Sequence, residues 1–171
     1  MSFLIDDFDP IDFVFMDPAG DMCIELMLIL KEKWNLSGDL GSVSVRFSTR
    51  LYDESILFPQ IVVSPLGGDA SQPIDLGSSE ATYPDRQLFG IDVWVRPKQD
   101  SAASIGWAKN AVYKLRKESE RILLSGSRLN SDTEDKFLYL IGWDRLDNLT
   151  TRPPIFHLAG KAYVVKFIKG S

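Results

Sequence analysis

The groups in this chain best suited by type and spacing to do chemistry are carboxylates. Asp6-Asp7-x-Asp9 and Asp144-x-x-Asp147 could each offer hard oxygen ligands to Mg²⁺ or Ca²⁺. Neither has the spacing of a known cation loop, and solvated turns or helix entries account for both. No metal site and no cofactor is therefore assigned. Metal-dependent nucleases of the restriction type carry Pro-Asp and, further on, acid-x-Lys. Here Pro84-Asp85 is followed by Asp92-Val93-Trp94, without the lysine, and Glu32-Lys33 has the wrong order and spacing. Gly67-Gly68 is not followed by Gly-Lys-Ser/Thr, so the phosphate-cradling loop is missing. Nucleophilic catalysis needs a nucleophile, a base and an orienting group. The one histidine, His157, stands between Phe156 and Leu158 and reads as structural. Cys23 falls in an apolar helical stripe, where a thiol without an activating partner behaves as a small hydrophobe. Catalysis is not expected.

What remains points to surfaces. On a helix beginning near residue 101, Trp107 lies roughly opposite an Ile105/Val112/Leu115 stripe, among Lys114, Glu118 and Arg121. On the strand before it, Trp94 shares a face with Asp92 and Arg96. A tryptophan near arginine is what a protein interface favours, and equally what a chain covers with its own segments. Both readings stand for Trp94 and Trp107. Aromatics such as Phe137 and Tyr139 could stack on bases, but a chain of net charge −5 with no basic strand face is expected to use them in packing and to bind no nucleic acid specifically.

The charge is unevenly placed. Residues 1–21 hold six aspartates and no Lys or Arg, whereas from Arg96 to Arg128 basic residues outnumber acidic ones eight to three. A single cysteine precludes an internal disulfide and a cysteine metal cluster. No secretion signal is visible, and the apolar run Met22–Leu30 is too short to cross a bilayer, so no membrane association is expected. With 171 residues, 44% hydrophobic and 25% charged, the chain suits one domain with a sizeable core.

The elements that must position these residues follow from periodicity. Residues 1–16 form an acidic, aromatic arm that includes Phe8 and Phe13 and shows no clean period. Asp17-Pro18 opens a first helix, since Asp caps and Pro needs no N–H partner at the first position. Its stripe is Cys23, Leu26, Met27, Leu30 and Trp34, and Ile24, Leu28 and Ile29 make the early turns apolar almost all round. Alternation predicts strands at 43–47, at 61–63 between Pro59 and Pro65, and at 89–95. Residues 66–84, rich in Gly, Pro and Ser, read as a long loop. Asp100 or Ser101 caps a second helix that runs to Gly126, with Ile105, Ala108, Val112, Leu115 and Ile122 facing inward. Phe137 to Trp143 is a strand apolar on both faces and therefore expected in the sheet interior. Residues 162–167 form the last strand. The order is α-β-β-β-α-β-β, an α+β domain whose sheet is largely antiparallel and packed with two helices.

This order resembles the tail terminator (tail completion, neck) proteins of long-tailed phages and tailed archaeal viruses. The resemblance lies in a helix ending in a Lys/Trp-rich turn, the Phe89-Gly90-Ile91-Asp92-Val93-Trp94-Val95 alternation, and the long helix Ala108-Lys109-Asn110-Ala111-Val112 to Ile122-Leu123-Leu124. Gly142-Trp143-Asp144-Arg145 and Ala162-Tyr163-Val164-Val165-Lys166-Phe167 complete it. The match spans roughly Asp21 to Ile168 and leaves the arm and the 66–84 loop outside. It implies a non-catalytic virion protein that forms a homo-oligomeric ring, usually a hexamer, at the head-proximal end of the tail tube, contacts tube and neck proteins, and is assembled in the host cytoplasm. Another head–tail connector or head-completion protein is the neighbouring alternative. A small metal-dependent hydrolase using the Asp clusters, or a monomeric accessory domain binding through Trp94 and Trp107, is the alternative of another class. The candidate interface residues are Phe8, Phe13, Trp94, Trp107, Lys114 and Arg121, with the acidic arm of one subunit set against the basic second helix of the next.

Overall fold

A computed structural model describes residues 4–5, 18–36, 40–41, 43–49, 52–56, 59–68, 85–125, 128–130 and 134–168. The expected α+β order is present. Helix α1 (Pro18–Glu32) precedes strands β2 (Arg46–Ser48), β3 (Gln60–Gly68) and β4 (Asp85–Val95), and helix α2 (Ala102–Ser125) precedes β6 (Glu134–Arg145) and β7 (Phe156–Ile168). Two short strands join them, β1 (Leu4–Ile5) and β5 (Arg128–Asn130). The strands form one sheet in the order β1-β2-β3-β4-β7-β6-β5. Four of the pairings are antiparallel, but β1–β2 and β2–β3 are parallel.

Both helices pack on one face of the sheet. Alternate residues supply the core there: Ile61 and Val63 of β3, Phe89, Ile91, Val93 and Val95 of β4, Phe156 and Leu158 of β7. The α1 stripe Cys23, Leu26, Met27, Leu30 and Trp34 is buried as expected, with Trp34 edge-on to Phe47 at 5.1 Å. Ser101 is the cap of α2, its Oγ accepting the Ser104 N–H at 3.3 Å. Ala108, Val112, Leu115 and Ile122 lie buried under α2, whereas Ile105 is only partly covered. Gly160 faces Trp143 across the β6–β7 pair, and a Cβ there would stand 2.8 Å from the indole ring. The glycine leaves the slot in which that ring lies.

Three expectations need correction. The strand bounded by Pro59 and Pro65 runs through Pro65 to Gly68, with a register shift between Pro65 and Gly67 that accommodates the missing N–H. Residues 66–68 are thus strand and not loop, and 69–84 lie outside the described residues, as do Phe8 and Phe13. The strand expected at 43–47 is confined to Arg46–Ser48. Most important, β6 lies between β7 and β5 in the sheet, but it is flanked on both sides only at Asp135, Lys136 and Phe137. Beyond Phe137, where its pairing with β5 ends, no described strand lies on its outer side. Periodicity reports what a strand's two faces meet, not what its edges meet.

Candidate interaction surface

On the sheet face away from the helices, Gln60, Trp94 and His157 are neighbours in register on β3, β4 and β7. The His157 ring stacks on Trp94 with centroids 3.5 Å apart, and Tyr52 stacks on the other side of the indole at 4.5 Å. His157 Nε2 lies 2.6 Å from Asp92 Oδ1. His157 is 6% exposed, and its backbone N–H donates to Asp147 Oδ1 at 3.1 Å. Burial raises the Tyr52 hydroxyl above its ordinary pKa. Beside the stack, Gln60 Oε1 accepts from Arg46 at 2.8 Å while its Nε2 donates to the Asp53 carbonyl at 2.7 Å. Trp94, a candidate contact for a partner, is thus covered on both ring faces by its own chain, and His157 holds that cover in place. The pairing is invisible in sequence because Asp92 and His157 stand 65 residues apart.

Trp107 also differs from its expected position opposite the core. It packs against the core margin and lines a cavity of about 310 Å³ with Val43, Lys98 and Ser104. Arg121 is committed to an internal joint. Its Nε and Nη2 donate to Glu118 at 2.8 and 2.7 Å, and Nη2 donates to the Lys33 carbonyl at 3.0 Å. Glu118 Oε1 also accepts the Asn35 N–H at 2.8 Å. These bonds tie the end of α1 to α2. The bond from Arg121 holds the Glu118 carboxyl below its usual range against the opposing effect of burial. Lys114 lies exposed on α2.

The acid pairs are likewise engaged within the chain. Asp144 faces Lys161 at 3.4 Å, and Asp147 accepts from Arg145 at 2.5 Å. Among the described residues no three His, Cys, Asp or Glu side chains converge as a metal site would require. Asp6, Asp7 and Asp9 lie outside those residues. No helix among the described residues is long and apolar enough to cross a membrane.

The margin of β6 was missed in sequence. Tyr139 and Ile141 stand 47% and 56% exposed, and Leu146 and Leu149 follow in the β6–β7 connection at 56% and 60%. They are four of the eight large exposed apolar side chains among the described residues. Ile141 sits at a bulge between Leu140 and Gly142. Helix α2 meets β6 through Arg116, which lies over the Trp143 ring at 5.8 Å and pairs with Glu120 at 3.0 Å, and through Tyr113, whose hydroxyl accepts from Arg145 of β6 at 3.0 Å. The signal for this site was present in the alternation of 137–143, but it was read as burial within the sheet.

No protein-family model matches the chain, and no curated protein matches it. Among solved structures it is similar to a chain of the virion of a native gene transfer agent particle. The identity is 10% and the TM-score 0.45, with 84% of this chain and 95% of that chain covered. A likeness so distant assigns no function to this chain.

Proposed function

We propose that this protein is a structural virion component, a tail terminator that forms a homo-oligomeric ring, a hexamer, capping the tail tube and joining it to the neck. The proposal takes the family from the resemblance described above. One observation carries its assembly character: Tyr139, Ile141, Leu146 and Leu149 leave large apolar side chains exposed along β6 and the connection that follows it. Apolar patches of this kind mark protein contacts, and a ring is built from head-to-tail contacts between unlike surfaces. The chemistry-bearing residues support a non-catalytic role, since His157, Asp92, Asp147 and Glu118 each stabilise the fold. Native mass spectrometry with light scattering across concentration tests the reading. A discrete hexamer is expected. A chain that stays monomeric and gains thermal stability with a divalent cation overturns it in favour of the metal-dependent alternative.

A further inference from the structure

We draw no further inference here: the strongest candidate, the exposed apolar patch of Tyr139 and Ile141 along β6 beyond its pairing with β5, carries nothing further because nothing in the structure shows what covers it.

Discussion

β4 and β6 are long strands of the same sheet, each alternating through apolar residues and each containing a glycine, yet they occupy opposite situations. β4 is paired on both edges along its length. Its inward residues Phe89, Ile91 and Val93 are fully buried, and its outward residues Asp92 and Trp94 are covered by His157 and Tyr52. β6 has one full partner; its outward Tyr139 stacks on Tyr163 at 4.9 Å, and both Tyr139 and the bulged Ile141 stand exposed. Apolar content is therefore no measure of position in a sheet. In β4 it builds the core, and in β6 part of it stays exposed.

The contrast is sharpest with a charge placed in each strand. Ile91→Asp buries an unpaired carboxylate in the core and is expected to cost more than about 4 kcal/mol, or to prevent folding. The same change at Ile141 is expected to stay within about 0.5 kcal/mol in the monomer. Urea denaturation of both variants at low protein concentration measures the difference, and a large loss at Ile141 would mean that the monomer itself depends on this margin. Leu115→Asp should behave as Ile91→Asp, while Ile105→Asp should cost less because that side chain is only partly covered.

A smaller effect tests the joint between the two strands. Gly160→Val drives a branched side chain into the Trp143 ring and is expected to cost about 1–3 kcal/mol through overpacking. Pairing it with Trp143→Ala should recover part of the loss, which thermal melting can read.

Next in size is the helix joint. Glu118→Gln keeps the shape but removes the charge that Arg121 and the Asn35 N–H address, with an expected cost of about 1–2 kcal/mol at neutral pH. The Glu118 pKa is lowered in the folded state. Its contribution is thus fully present above the ordinary carboxylate pKa and lost as pH falls through the depressed folded value. The difference between the unaltered chain and Glu118→Gln should shrink on acidification below that range. A difference that does not change with pH would assign the loss to packing. The smallest effect belongs to the cover on β4: Tyr52→Ala removes one ring from the stack and should cost about 0.5–1.5 kcal/mol. It should also raise the accessibility of Trp94 to fluorescence quenchers.

Much of the fold was legible because long periodic segments report their own burial. The α1 stripe, the α2 stripe, the Ser101 cap and the core side of β4 all follow from local spacing. What failed was relational. β2 and β3 are parallel, within a sheet whose expected character was largely antiparallel. β1 and β5, at two and three residues, are too short to show a period. Trp107 and Arg121 were placed by helical position alone, which cannot show that Val43 or Glu118 stands beside them. The Tyr52–Trp94–His157 stack depends on register between strands far apart in sequence, so no local pattern announces it.

The burial of Cys23 turns this chain into its own stopwatch. Its thiol is 2% exposed, and loss of hydration pushes its pKa up to about 12, so at neutral pH the docked residue is shielded and protonated. Reaction with a thiol reagent then waits for α1 to lift from the sheet. The labelling rate gives the frequency or free energy of that opening, according to whether reclosing is slower or faster than the chemistry. Because this is the chain's one cysteine, no second thiol confuses the signal. Comparing the rate at low and high protein concentration would reveal whether the opening of α1 depends on self-association.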